Sequence, residues 1–121
     1  MRISEAADAC GLSADTIRYY EKSGMIPPIR RDASGRRRFS AADIDWLTLI
    51  YWLRETGMPL RQMRRFFTLA QGGPETIPER RQILTDHASE LQRRRENLDK
   101  CDAVLAIKIA SYDQPKPKVT P

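Results

Sequence analysis

The segment TIRYYE places a cation beside two aromatic rings, because Arg18 is followed directly by Tyr19 and Tyr20. Guanidinium and hydroxyl groups of this kind are ordinary partners of phosphate oxygens, and Thr16 could join them. Successive residues of a helix point about 100° apart, so the three consecutive side chains cannot all face one core. The alternative to a polyanion-binding surface is an ordinary helix in which one tyrosine is buried and the other groups only fill the surface.

The segment RRDASGRRR, residues 30–38, carries five arginines and one aspartate. The basic excess of the chain lies in the same half, since residues 1–72 hold 12 Lys/Arg against 8 Asp/Glu, whereas residues 73–121 hold 9 against 8. Such clustering favours a polyanionic partner, although a solvated charge run is the alternative. The turn sequence DASG predicts a short hairpin, and strand alternation would send Arg37 to the opposite side from its two neighbours.

Other kinds of chemistry find little support in the sequence. Cys10 and Cys101 lie too far apart for a recognisable metal or redox motif, and His87 is the one histidine. With no glycine-rich phosphate loop either, we expect no enzyme, no metal site and no cofactor. No signal peptide precedes the first periodic segment, and no apolar run approaches the ~20 residues that span a bilayer. We therefore expect a cytoplasmic protein with reduced thiols and no membrane partner.

Capping and periodicity signals predict a helical domain around the two basic segments. A helix over residues 3–10 should end at Gly11, and Ser13 should cap a second helix. Two short helices connected in this way form a helix-turn-helix, whose second member usually reads a DNA groove. After the hairpin, Ser40 and Asp43 form a capping pattern for a third helix. A fourth helix, opened by Pro59, is expected to turn inward its apolar residues Leu60, Met63, Phe66, Phe67 and Ala70.

A glycine- and proline-rich linker, residues 71–79, separates this domain of residues 1–70 from a leucine repeat. Leucine recurs every seventh position at Leu84, Leu91, Leu98 and Leu105. This spacing predicts a long helix over residues 80–111 that pairs with a second copy, although packing onto the first domain is the alternative. Cys101 lies on the same stripe, either as a sensor thiol or as a small apolar residue of the seam. The proline-rich tail, residues 112–121, is expected to be disordered.

Four motifs, TIRYYE, GMIPP, SGRRRFS and LRETGMPL, agree in order and spacing with one known family. Over residues 1 to about 70 the sequence resembles the MerR family of bacterial transcription regulators. The resemblance implies a mainly α-helical fold, in which a winged helix-turn-helix domain with the hairpin as its wing is followed by a long dimerisation helix that forms an antiparallel coiled coil.

The resemblance also implies which residues meet DNA. Where the family's wing usually has a tyrosine this chain has an arginine, which should keep affinity but alter its salt dependence. The residues assigned by motif position are Thr16 and Arg18 in the major groove, Tyr19 and Tyr20 at or near the phosphates, Arg36 and Arg37 in the wing, and Arg54 on the backbone before the fourth helix.

The partners implied by the resemblance are a second copy of the chain, near-palindromic double-stranded promoter DNA, RNA polymerase at the same promoter, and a small effector. In this family the effector shifts a dimer that bends and untwists the promoter. We therefore predict a homodimeric, sequence-specific transcription regulator of unknown effector, since residues 71–83 lack the cysteines of metal-responsive relatives. The alternatives are a non-regulatory DNA-binding accessory of recombination or the nucleoid, and an adaptor whose coiled coil binds a different chain.

Overall fold

The computed structural model describes residues 1–114 of the chain. Within that range no helix is long and apolar enough to cross a membrane. The mainly α-helical fold class, with a long C-terminal helix, is confirmed. In chain order the elements are α1 (Ile3–Cys10), α2 (Ala14–Lys22), α3 (Ala41–Glu55), α4 (Leu60–Ala70), a short 3₁₀-helix (Pro74–Thr76) and α5 (Ile77–Tyr112).

Two compact units make up the chain, Met1–Leu84 and a second one that begins at Thr85. In the first unit, α1 packs against α2 and α3, and α3 packs against α4. Its largest fully buried side chains are Ile17, Leu47 and Ile50, which come from α2 and α3. Burial of this kind is the main stabilising term for a small domain. The remaining buried core residues are Ala6, Cys10, Leu12, Tyr20, Met25, Ile26, Ile29, Phe39, Leu53, Met58, Met63, Phe66 and Phe67.

The helix-turn-helix is formed by the local signals that the sequence predicts. Gly11 has φ 85°, a left-handed conformation that glycine adopts without strain, and its N–H donates to Ala7 O at 3.0 Å. Ser13 is the N-cap of α2, since its Oγ accepts from Thr16 N at 3.1 Å. The left-handed Gly11 ends α1 and the Ser13 cap begins α2, and together they fix the turn that sets the position of α2.

The predicted hairpin is present, but it is shorter than a pair of regular strands. Among the described residues it contains one antiparallel bridge, between Arg31 and Arg37. Next to it, Arg38 N donates to Arg30 O at 2.7 Å and Asp32 N donates to Arg36 O at 2.8 Å. Pro27 and Pro28 precede this segment and lack the N–H groups that a longer ladder needs. We call residues 29–39 the wing.

Helix α3 matches the prediction, whereas α4 differs from it at its start. Ser40 caps α3, and its capping box with Asp43 is formed. Pro59 is the N-cap of α4 rather than its first helical residue. Leu60, expected to face inward, is 53% exposed, because it stands in the first turn, before α4 reaches the core.

The long helix α5 begins at Ile77 instead of at residue 80, since Pro78 is tolerated in a first turn. It runs on to Tyr112, the first residue of the predicted tail. Residues 115–121, where most of that tail prediction falls, lie outside the described part of the chain.

Candidate nucleic-acid interface

Helix α2 divides its side chains between the core and the solvent. Ile17 is fully buried, and Tyr20 is only 6% exposed, whereas Tyr19 is 55% exposed. Arg18 is exposed as well, and its Nη1 donates to Asp15 Oδ1 at 2.9 Å. Tyr20 is therefore a core residue whose ring packs beneath the helix, and its expected position at or near the phosphates stays a prediction. Arg18 and Tyr19 remain as the outward groups of the TIRYYE segment.

An open groove of about 500 Å³ lies beside α2. Thr16, Tyr19 and an edge of Tyr20 line it from α2, and Arg54 lines it from the last turn of α3. The structure thus brings four of the predicted DNA-binding residues to one place, although Arg54 is 34 or more positions away from the other three in sequence. The rest of the lining is Asp15, Met58, Leu60 and Met63. The exposure of Leu60 and the burial of Met58 at this groove could not be read from helical periodicity.

The wing separates its arginines in the way that alternation predicts. Arg36 and Arg38 are exposed, whereas Arg37 is half-buried. Arg37 Nε donates to Glu21 Oε1 at 2.7 Å, so its charge is taken up within the domain. The guanidinium of Arg37 is thus directed toward α2, and its expected DNA contact stays a prediction.

A second cavity, of about 290 Å³, joins the wing to the beginning of the chain. Arg2, Arg31, Arg36 and Arg37 all line it. The first residue of the chain reaches the end of the wing through two backbone bonds, Phe39 N to Met1 O at 2.8 Å and the Met1 amino group to Phe39 O at 3.3 Å. Sequence reasoning missed Arg2, since nothing in a local pattern signals a pairing between residues 38 positions apart.

Glu21, in the last turn of α2, holds the wing through both of its carboxylate oxygens. Oε2 accepts from Ile29 N at 2.6 Å, and Oε1 accepts from Arg37 Nε. Burial of the carboxylate raises its pKa, whereas the hydrogen bond from Ile29 and the Arg37 guanidinium lower it. The lowering effects together outweigh the effect of burial, so the pKa of Glu21 lies below its ordinary value. Glu21 is therefore a carboxylate at neutral pH.

The tip of the wing is closed by Asp32. Its Oδ1 accepts from Ser34 Oγ at 2.6 Å, from Ser34 N at 2.9 Å and from Arg36 N at 3.0 Å. The hydrogen bonds from the Ser34 hydroxyl and the Arg36 backbone hold the pKa of Asp32 below its usual range. Asn and Asp close turns in this way because their short side chains reach backbone amides two residues on.

Helix α5 exposes large apolar side chains over much of its length. Leu98 is 68% exposed, Leu105 is 53% exposed and Leu91 is half-buried. Leu84 differs, because it packs against the core of the first unit together with Ile83. The alternative of packing onto the first domain thus holds for Leu84.

The two thiols occupy different surroundings. Cys10 is 4% exposed in the core, whereas Cys101 is exposed on α5. His87 is half-buried on the same helix, and burial together with Arg94 lowers its pKa despite the opposing charge of Glu90. Among residues 1–114, no group of three or more His, Cys, Asp or Glu could hold a metal ion.

Comparison with known protein families gives two matches that together cover most of the chain. Residues 1–69 match the family described as MerR HTH family regulatory protein. Residues 44–106 match the family described as MerR, DNA binding. The first match contains α1 to α4 and the wing, and the second extends along α5.

Individual proteins of known sequence or structure give the same result. An uncharacterized HTH-type transcriptional regulator of Haemophilus influenzae is 34% identical over 113 residues, which are 93% of this chain and 84% of that protein. The HTH-type transcriptional regulator AdhR of Bacillus subtilis is 37% identical over 91 residues, which are 75% of this chain and 65% of AdhR. The crystal structure of HiNmlR, a MerR family regulator lacking the sensor domain and bound to promoter DNA, superposes with a TM-score of 0.81 at 34% identity, covering 92% of this chain and 88% of that one.

Proposed function

Since the chain belongs to the MerR family and is a DNA-binding transcription regulator, we propose that it acts as a homodimer that distorts promoter DNA in response to an effector. The observation that carries the DNA-reading part is the groove in which Thr16, Tyr19 and Arg54 converge beside the outward face of α2. A hydroxyl, a phenol and a guanidinium are groups that donate to the DNA backbone, and an adjacent helix face can read base edges.

In this proposal α2 lies in the major groove with Arg18 as the side chain that reads a base. Arg18 is exposed, and its partner Asp15 is a fully solvated carboxylate that competes only weakly for the guanidinium. Tyr19 and Arg54 contact phosphates on either side of the DNA major groove. Arg36 and Arg38, which are exposed on the wing, contact the backbone farther along the duplex.

Dimerisation is supported by the exposed stripe of α5. Leu98 and Leu105 would lose contact with water in a paired helix, and each buried leucine contributes about 1.5–3 kcal/mol. Cys101 lies between them on the same stripe and would be a small apolar residue of the seam in the paired state. Two reading units on one near-palindrome multiply their affinities, which a single small domain cannot do.

Promoter binding is supported by HiNmlR, a relative that was crystallised on promoter DNA, and promoter distortion is the further step that the MerR resemblance implies. Bending or untwisting a site costs several kcal/mol, so an effector that favours one dimer shape would shift transcription. RNA polymerase at the same promoter would then read out the change in DNA shape.

The proposal can be tested with Leu98→Asp, which places a charge in the expected seam. Ser89→Asp is the matched control, because Ser89 is exposed on α5 and lies outside the leucine stripe. By analytical ultracentrifugation we expect the wild type and Ser89→Asp to be dimers and Leu98→Asp to be a monomer. On a duplex selected from a random library by the wild type, the monomer should bind roughly 10²–10⁴-fold more weakly.

Three results would contradict the proposal. A Leu98→Asp protein that stays dimeric would show that α5 does not form the seam. A monomeric wild type would favour the adaptor alternative. A wild type without preference among duplexes would remove sequence-specific regulation.

A further inference from the structure

The Glu21 carboxylate connects the reading helix to both arms of the wing. Ile29, whose N–H donates a hydrogen bond to this carboxylate, begins the first arm of the wing. Arg37 lies on the second arm, opposite Arg31 on the first. Within residues 1–114, these are the hydrogen bonds by which α2 holds the wing arms. The side chain of Glu21 is only 13% exposed and that of Arg37 is 22% exposed, so solvent screens this pair little compared with a surface ion pair.

Apolar contacts hold the two ends of the wing in the core, but they do not set the orientation of the wing relative to α2. Ile29 and Phe39 are buried at its two ends and anchor them in the core. Between those anchors the hairpin has a single bridge, and its side chains are exposed except for the half-buried Asp32 and Arg37. A short two-stranded ribbon is marginally stable by itself, so its orientation depends on contacts with the rest of the domain.

We propose that Glu21 is a positioning residue that sets the orientation of the wing relative to α2, so that Arg36 and Arg38 meet the phosphates while Arg18 reads the groove. Arg37 then stabilises the wing through its ion pair with Glu21 inside the domain and does not contact DNA. The inference rests on the proposed function, because it presumes that α2 and the wing bind one duplex together.

Electrostatics alone predicts the opposite effect for this carboxylate. A negative charge near a surface that binds a polyanion weakens binding to any duplex, so its removal should strengthen binding whatever the base sequence. A positioning residue behaves differently, because misaligned contacts lower the affinity for the specific site while the sequence-independent attraction persists. The sign of the change, and its dependence on the duplex, distinguish the two roles.

The variant for this test is Glu21→Gln in the full chain. Glutamine keeps the shape of the side chain and a carbonyl oxygen for Ile29 N, but it removes the charge that holds Arg37. Glu55→Gln is the matched control, since it is the same chemical exchange at an exposed residue that ends α3. Affinities are measured at one salt concentration for a duplex selected by the wild type and for a shuffled duplex of the same length.

For Glu21→Gln, we expect the ratio of specific to shuffled affinity to fall by about three- to tenfold, which lies in the lower part of the range of coupling energies between contacting residues. Affinity for the shuffled duplex should be unchanged or higher. Glu55→Gln should keep the wild-type ratio. Arg37→Gln should lower the ratio similarly, and the double variant Glu21→Gln/Arg37→Gln should be no worse than either single variant, because both remove the same interaction.

The proposal is overturned if Glu21→Gln strengthens both duplexes by the same factor, which would make Glu21 only a repelling charge. It is also overturned if Arg37→Gln weakens both duplexes equally, which would make Arg37 a phosphate contact. If circular dichroism shows that Glu21→Gln is unfolded, Arg37→Lys carries the same test, because it keeps the charge and lacks the Nε donor. A wild type that prefers no duplex contradicts the proposed function, whereas an unchanged ratio in a discriminating protein contradicts only the role of Glu21.

Discussion

Replacing Gly11 by alanine should destabilise the turn of the helix-turn-helix in two separable ways. The backbone there has φ 85°, which an L-residue adopts only with strain. A Cβ atom on Gly11 would also lie 2.9 Å from Tyr51 Cε1 and 3.1 Å from Cδ1. The Tyr51 ring has restricted room to move, since it packs against the core and meets the Trp52 ring edge-on at 4.9 Å between centroids.

The two contributions can be separated by comparison with another glycine. Gly24 has φ 78° and nothing within 4 Å of an added Cβ atom, so Gly24→Ala reports the backbone strain alone, about 1–2 kcal/mol. Gly11→Ala carries the same strain and the overlap with Tyr51, which adds about 1–3 kcal/mol. We therefore expect Gly11→Ala to lower the free energy of unfolding by about 2–5 kcal/mol in total.

Urea denaturation at one fixed protein concentration is the appropriate assay, because a dimer's stability depends on concentration. Tyr51→Ala in the Gly11→Ala background should recover most of the overlap contribution, so that the two changes together cost less than their sum. Equal destabilisation by Gly11→Ala and Gly24→Ala would refute the argument, since the overlap would then contribute nothing.

Two further predictions concern single charged groups. Arg18→Ala should weaken binding to the selected duplex by about 1–3 kcal/mol and binding to a shuffled duplex by less, measured by fluorescence anisotropy; equal losses would make Arg18 a phosphate contact. Because the folded-state pKa of Glu21 is lowered, its stabilising contribution is complete above the unfolded-state pKa of about 4.3 and is lost as the pH falls through the folded value. The difference in thermal midpoint between the wild type and Glu21→Gln should thus be constant above about pH 5 and shrink below it, and a difference that grows on acidification would contradict the assignment.

Features that depend on neighbouring residues could be predicted from the sequence. Gly11 and Ser13 mark the turn before α2, and the structure confirms both roles. The capping box of Ser40 with Asp43 is confirmed in the same way. These signals act over three or four residues, which is the range in which side chains bond to a helix end.

Features that depend on distant partners could not be predicted. Arg37 pairs with Glu21, 16 positions earlier. Strand alternation separates Arg37 from Arg36 and Arg38, but it does not show which of the two sides faces a carboxylate of the domain. Tyr19 and Tyr20 are chemically alike, so only the packing of α2 on the core decides which is buried. Motif position assigns Arg54 to DNA, but its place beside Thr16 and Tyr19 in one groove is set by tertiary packing.

The Asp32 turn has a consequence for how the wing enters a complex. With three donors gathered on one carboxylate oxygen, the tip already has its shape before any duplex is present. A loop that must be ordered on binding loses conformational entropy of about 1–2 kcal/mol for each residue that becomes fixed. In the proposed complex, a wing closed in advance avoids most of that loss, so the proposed attraction between its arginines and the phosphates would contribute to affinity with little entropic cost.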